Sequence, residues 1–192
     1  STTAFLTIHN MATGMVGRYG QPALIEEICP GLVSGEKLAS YCLTEPGAGS
    51  DAGNLRSTAR RDGDNYIVNG SKMFISGAGS TDTLVVMLRT GDAGAKGITA
   101  FAIPADSDGI SYGKREEKMG WNSQPTGTIT FEDGVVPAAN RLGDEGQGFK
   151  IAMQGLDGGR INIATCSIGT AQAALETATD YVKERKQFGQ AI

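Results

Sequence analysis

Histidine is almost absent from this chain: His9 is the only one among 192 residues. A His-built metal cluster or a Ser-His-Asp triad would have to hinge on that one side chain beside Asn10, so the simpler reading makes His9 an ordinary helix residue. Cysteine is scarce as well. Cys29, Cys42 and Cys166 are odd in number, far apart and without a C-x-x-C pair, which suggests neither a disulfide framework nor a zinc site and leaves reduced thiols as the default. No apolar run approaches the roughly 20 residues that span a bilayer, and the N-terminus lacks a charged-then-apolar leader pattern. Basic residues do not predominate: the formal net charge is −4 and the pI about 5.0. That excludes a broadly basic nucleic-acid face.

What the sequence has in excess is glycine, 28 residues without a collagen-type period, which fits a strand-rich fold with many tight reversals. Apolar residues at 40% and charged residues at 20% place it among globular proteins. The N-terminal stretch 3–29 carries Phe5, Ile8, Met11, Met15, Leu24, Ile25 and Ile28 at helical spacing, with Gly20-Gln21-Pro22 as a break. Two short helices are expected there, ended by Cys29-Pro30-Gly31, with a further short helix or turn over Val33 to Lys37. From Leu38 the pattern turns to short β-prone runs: Ala39–Leu43, Asn54–Arg61, Tyr66–Val68, Lys72–Ile75, Thr83–Arg89, Gly97–Ile103, Ile110–Lys114 and Gly127–Phe131. Asp62-Gly63-Asp64-Asn65 and Asn69-Gly70 read as two hairpin turns, making 54–76 an antiparallel meander. Helical spacing returns over Gly148–Lys186, as two helices or one interrupted near Gly169. The expected fold is α+β: an antiparallel β-barrel or sandwich flanked by helices, divided as 1–37, 38–143 and 144–192. Ser1 already lies in helix-like sequence and Ile192 directly follows a helix end, so both ends are expected to be cuts through helical-bundle domains.

The most informative string is Tyr41-Cys42-Leu43-Thr44-Glu45-Pro46-Gly47-Ala48-Gly49-Ser50-Asp51. A strand running into Pro-Gly-Ala-Gly-Ser brings backbone N–H groups and small hydroxyls close to a bulky polar ligand, because glycine removes the side chains that would block it. A plain surface turn is the competing reading of the same residues. Phe74 alone reads as core packing. Asp157 and Arg160, at i and i+3, read alone as a solvated ion pair, and Glu184-Arg185-Lys186 as a charged helix terminus.

Taken whole, Cys42 to Gly53 resembles the first signature of the acyl-CoA dehydrogenase family, departing at Asn54, where a small residue is usual. Lys72-Met73-Phe74-Ile75-Ser76 resembles the family's second flavin-contacting strand. Phe131-Glu132-Asp133, Val136-Pro137 and Gly146-Gln147-Gly148-Phe149 fall where that family closes its β-domain and opens its next helix. Trp121-Asn122-Ser123-Gln124-Pro125-Thr126 and Gly158-Gly159-Arg160-Ile161-Asn162-Ile163-Ala164 look most like the branch acting on isobutyryl-CoA. The resemblance implies FAD as cofactor, with Tyr41, Leu43, Thr44, Phe74, Ile75 and Ser76 lining the flavin. Phe74 and Ser76 replace the more usual tryptophan and threonine. It places Ser50 at the acyl-CoA thioester or pantetheine, Asp157 and Arg160 at the pantetheine–nucleotide portion, and Arg185, Gln187 and Phe188 at the FAD of a neighbouring subunit.

The implied reaction is α,β-desaturation of a short branched-chain acyl-CoA, as in valine catabolism, with electrons passing to an electron-transfer flavoprotein. A homotetramer in the mitochondrial matrix or bacterial cytoplasm is the corresponding setting. The reaction needs a carboxylate base. Where a minority of the family carries it, next to the arginine, this chain has Gly159, and Glu45 is given a structural part; the base is therefore expected beyond Ile192. The rival readings are an acyl-CoA oxidase or flavin monooxygenase of the same fold, and a non-catalytic binding or assembly domain.

Overall fold

A computed structural model of the chain describes residues 2–192, with side chains from residue 7 onward. Ser1 and the side chain of Phe5 lie outside the described residues. Helices α1 (Thr2–Tyr19) and α2 (Pro22–Ser34) form an N-terminal pair. Pro22 opens α2 at its first turn, where the missing N–H costs nothing. The expectation that Cys29-Pro30-Gly31 ends the helix is corrected: α2 runs through Pro30 and stops at Gly35, whose φ is +78°. Burial of Leu32 one turn from the end favours the extra turn over the hydrogen bond that Pro30 forfeits. His9 is buried and ties the pair to the sheet. Its Nδ1 accepts from the Ala39 amide at 3.1 Å, so Nε2 carries the proton and donates to the Leu32 carbonyl at 2.9 Å.

Eight strands make one sheet: β1 (Ala39–Cys42), β2 (Thr58–Asp62), β3 (Asn65–Ser76), β4 (Thr83–Arg89), β5 (Ile98–Pro104), β6 (Ile110–Tyr112), β7 (Thr126–Pro137) and β8 (Arg141–Leu142). Their order is β6-β7-β3-β2-β4-β5-β8, with β1 beside β4. The sheet is mixed rather than wholly antiparallel, because β1 runs parallel to β4 and β2 meets β4 in parallel at Thr58 and Arg89. The expected second hairpin at Asn69-Gly70 is also corrected. The chain does not reverse there; β3 continues, and Gly70, with φ +137°, absorbs a bulge against β7. Asn69 and Asp133 close that bulge with two hydrogen bonds of 2.9 Å each, so the turn-like dipeptide serves a kink within a long strand.

Two apolar clusters lie on opposite faces. Alternate residues of β4 and β5, among them Val85, Met87, Ala100 and Ala102, pack with α1, α2 and the next helix. The other parity, Leu84, Val86, Leu88, Phe101 and Ile103, meets Tyr66, Val68, Ile129 and Phe131 of β3 and β7, with Tyr66 edge-on to Phe101. The Leu84–Leu88 run is apolar without alternation because both its faces are covered.

Helix α3 (Gly148–Glu184) is a single helix of 37 residues, uninterrupted at Gly169. Its first residue lies against β5 so closely that a Cβ on Gly148 would stand 2.5 Å from the Thr99 carbonyl carbon. Only its first turns are buried; Ile161, Ile168, Leu175 and Tyr181 are exposed. Beyond it, β9 (Lys186–Gln187) and β10 (Gln190–Ala191) form a small hairpin.

Replacing Gly70 by alanine tests the bulge, since the new Cβ would sit 2.6 Å from the Ser57 Cα at a φ disfavoured for any side chain. Urea unfolding is expected to show a loss of about 2 kcal/mol or more. Gly63→Ala, in an open hairpin turn with nothing within 4 Å, is expected to lose about 1 kcal/mol.

Candidate functional site

The end of β1 and the end of β3 run side by side. The Ser40 hydroxyl donates to the Ser76 carbonyl at 2.7 Å, the Lys72 ammonium to the Leu43 carbonyl at 3.2 Å, and the Met73 amide to the Thr44 carbonyl at 2.8 Å. Tyr41, Leu43 and Thr44 are thereby brought beside Phe74, Ile75 and Ser76. The two groups are 30 residues apart in sequence and join only through the sheet.

Within this edge the side chains divide sharply. Tyr41 packs on the helix side and donates its hydroxyl to the Ala152 carbonyl of α3 at 3.3 Å; burial raises its phenol above the usual range. Leu43 is buried on the same side. Cys42 points the other way, and burial pushes its thiol to about 12, against a smaller lowering by Lys72, so it is no nucleophile at neutral pH. Ile75 is buried in the second cluster, which leaves only its backbone for a ligand. Phe74 does the opposite. A break in the β3–β7 register between Lys72 and Ile75 sets its φ at +58° and turns its ring out, 57% exposed. A left-handed phenylalanine in a strand costs energy that packing does not return, and such strain gathers at ligand sites. The hydroxyls of Thr44, Ser50 and Ser76 make no hydrogen bond among the described residues.

Beneath this edge lies a buried ion pair. Lys72 Nζ is 2.7 Å from Glu45 Oε1, with the two side chains 0% and 7% exposed. Glu45 also accepts from the amides of Arg56 at 2.6 Å and Ser57 at 3.0 Å. Burial opposes the charge on Glu45, but Lys72 and these donors outweigh it and hold the carboxyl below its ordinary value. On Lys72 burial is the larger influence and lowers the ammonium, against the pull of Glu45. Lys72 lies in the string that resembles a flavin-contacting strand, and its carboxylate partner is 27 residues earlier in the chain. The signal was available: Lys72 has the strand parity of the buried Tyr66 and Val68, and a buried ammonium demands a carboxylate.

The residues farther along the chain are dispersed. Asp157 and Arg160 stand on α3, paired with each other at 2.6 Å and mostly exposed. Arg185, Gln187 and Phe188 follow the end of α3, about 50 Å along the helix from Ala152 at 1.5 Å per residue. All three are exposed, and the fold does not bring them to the β1–β3 edge. Lys118 and Trp121, given no role from sequence, shape the loop before β7: Lys118 donates to the carbonyls of Trp121 and Gln124 and to the Thr126 hydroxyl, while Trp121 is left-handed and half exposed. Between α1 and α3 lies a cavity of about 260 Å³, lined by Met11, Met15, Gly155, Gly158, Gly159 and Asn162 among others. A larger cleft of about 730 Å³, between α2 and the β5–β6 connection, contains none of the candidate flavin- or acyl-CoA-contacting residues.

Residues 40–134 match the model of the acyl-CoA dehydrogenase middle domain, and residues 146–192 that of the acyl-CoA dehydrogenase C-terminal domain. The chain belongs to the acyl-CoA dehydrogenase family. Among particular proteins it is similar to mitochondrial isobutyryl-CoA dehydrogenase: 55% identical to that of Bos taurus over 192 residues and 56% identical to that of Dictyostelium discoideum over 193, each alignment covering 100% of this chain and 46% of the relative. The structure of butyryl-CoA dehydrogenase from Megasphaera elsdenii superposes with a TM-score of 0.92 at 42% identity, covering 97% of this chain and 50% of that one. The chain spans about half the length of the relatives it matches.

Lys72→Met leaves Glu45 buried and unpaired, and is expected to cost about 3–5 kcal/mol. Adding Glu45→Gln should recover part of that loss; equal destabilisation of the single and double variants in urea would refute charge compensation. Because the folded Glu45 carboxyl lies below its ordinary 4.5, its ionised form adds stability above that pH, and this is lost as pH falls through the folded value. Acid titration followed by circular dichroism should show a shallower decline below about pH 4.5 in Glu45→Gln than in the parent.

Proposed function

We propose that this chain is part of an FAD-dependent acyl-CoA dehydrogenase that desaturates a short branched-chain acyl-CoA of the isobutyryl-CoA type, passing electrons to an electron-transfer flavoprotein. The observation that carries the reading is the β1–β3 edge: an outward Phe74 ring held at a strained φ, flanked by the unspent hydroxyls of Thr44 and Ser76. A flat, polar-edged aromatic ring system fits there, with Phe74 beside it and the hydroxyls and backbone amides donating to its polar edge. When bound, FAD supplies the acceptor for the β-hydrogen.

The chain's own residues do the holding. Ser50, in the glycine-rich arch, contacts the acyl-CoA near its pantetheine or thioester end, and Asp157 with Arg160 meets its pantetheine–nucleotide portion. The α1–α3 cavity, at about 260 Å³, suits a small acyl group and lies against Gly159, one residue from Arg160. The α-proton passes to a carboxylate that this sequence does not supply. Glu45 is committed to Lys72 and two amides, and position 159 has no side chain to offer. Arg185, Gln187 and Phe188, remote from the edge of their own protomer, reach the FAD of a neighbouring subunit, so the active assembly is an oligomer, a homotetramer in this reading. In an arginine at that place a planar fork suits a pyrophosphate. Residues 38–143 form the middle domain, between the end of one helical domain (1–37) and the start of another (144–192). The setting of this reading is the mitochondrial matrix or the bacterial cytoplasm; it is supported by similar proteins that are named mitochondrial and others that come from bacteria.

Three measurements test this. The whole enzyme containing this sequence should reduce an electron-transfer flavoprotein in the presence of isobutyryl-CoA, whereas the 192-residue chain alone should show no turnover; turnover by the latter would overturn the placement of the base. Oxygen consumption in place of flavoprotein reduction would convert the reading to an oxidase. Phe74→Ala in the whole enzyme is expected to weaken FAD retention by about tenfold, read from flavin absorbance after gel filtration.

A further inference from the structure

Arg89, at the end of β4, is half-buried, and every hydrogen bond of its guanidinium among the described residues goes to a backbone carbonyl. On one side Nη1 donates to Asp92 at 2.6 Å and Gly94 at 3.0 Å, in the β4–β5 turn. On the other, Nη2 donates to Gly53 and Leu55 at 2.9 Å each, and Nε to Leu55 at 3.1 Å. No carboxylate forms an ion pair with it among the described residues. The planar fork is thus spent wholly on riveting one stretch of irregular backbone to another, a task for which a guanidinium has the donors and an ammonium does not.

The stretch it grips is the far end of the arch that carries Ser50. At the near end, Glu45 closes a tight backbone pair with Ala48 and is itself anchored by Lys72. At the far end the amides of Asn54 and Leu55 bond locally to the carbonyls of Asp51 and Ala52, and their own segment is held down by Arg89. Between these anchors run Pro46 to Ala52, with two glycines; Ala48 and Ala52 are buried, while Pro46, Gly47, Gly49, Ser50 and Asp51 are exposed.

We propose that Arg89 is a positioning residue for acyl-CoA: by fixing the Gly53 and Leu55 carbonyls it pre-organises the 46–52 arch, so that Ser50 is presented without an ordering cost at the moment of binding. The inference rests on the reading of Ser50 as an acyl-CoA contact. A flexible arch would have to be ordered by the ligand, and that entropy would be subtracted from affinity. Since the arch holds substrate and transition state alike, the loss should fall on KM rather than kcat.

The test uses the whole enzyme with Arg89→Lys and Arg89→Gln. Hydrogen exchange of peptides covering 46–57 should rise by about tenfold in Arg89→Gln and less in Arg89→Lys, with β3 and β7 unchanged. KM for isobutyryl-CoA should rise by about tenfold with kcat within about twofold, again partly restored by lysine. Unchanged exchange in 46–57 overturns the proposal, as does loosening of β3 and β7 together with a parallel fall in kcat, which marks a merely structural residue. If Arg89→Gln does not fold, Arg89→Lys decides by the same readouts. A parent enzyme that ignores isobutyryl-CoA would refute the proposed substrate, while the exchange measurement would still judge the rivet.

Discussion

The buried contact between Lys72 and Glu45 is the constraint from which the site follows. An ammonium at 0% exposure is costly unless a carboxylate meets it, and Glu45 can do so only if the chain after β1 turns back under β3. The same carboxylate then satisfies the amides of Arg56 and Ser57 as the chain leaves the arch. One charged pair therefore sets where the glycine-rich arch begins, where it ends and which way β1 exits. It also removes Glu45 from chemistry: a carboxylate with its lone pairs already engaged by an ammonium and two amides is a poor acceptor for a substrate proton.

The two-faced sheet turns that constraint into a surface. Cys42 and Ile75 are drawn into the inner cluster, Tyr41 and Leu43 into the helix-side cluster, and what remains at the edge is Thr44, Phe74 and Ser76. The irregularity between Lys72 and Ile75 is what frees Phe74. In an unbroken alternation the ring would share the face of Lys72 and be buried; the shift costs a left-handed φ and yields an exposed aromatic. Strain and exposure at one residue, in a strand otherwise well packed, are what a ligand surface looks like in physical terms.

Helix α3 has the opposite character. Its first turns are locked to β5 and β1 through Gly148 and the Ala152 carbonyl, and its remainder presents Ile161, Ile168, Leu175 and Tyr181 to the outside. At 37 residues it carries Arg185 about 50 Å from the edge it starts beside. Its length separates Arg185, Gln187 and Phe188 from the β1–β3 edge.

Much of this was legible from the residues. Helical spacing located α1, α2 and α3, and the Ala39–Leu43, Thr83–Arg89 and Gly97–Ile103 runs marked the central strands, because period and β-branched content are local properties. The string from Tyr41 to Asp51 marked the glycine-rich arch after β1, since Pro-Gly-Ala-Gly-Ser has turn chemistry that can be read without knowing its partners. What misled was also local: Asn69-Gly70 has turn chemistry, but β7 supplied partners that carried the strand through it, and Pro30 has breaker chemistry, but the burial of Leu32 outweighed it. The sequence by itself determined the family, the periodicities and the kinds of side chain at the site. Only the tertiary structure decided that Lys72 pairs with Glu45, that Arg89 grips the far end of the arch, and that Ile75 turns inward while Phe74 turns out. These are contacts between segments distant in the chain, and their energies depend on burial, which no residue possesses until the others have enclosed it.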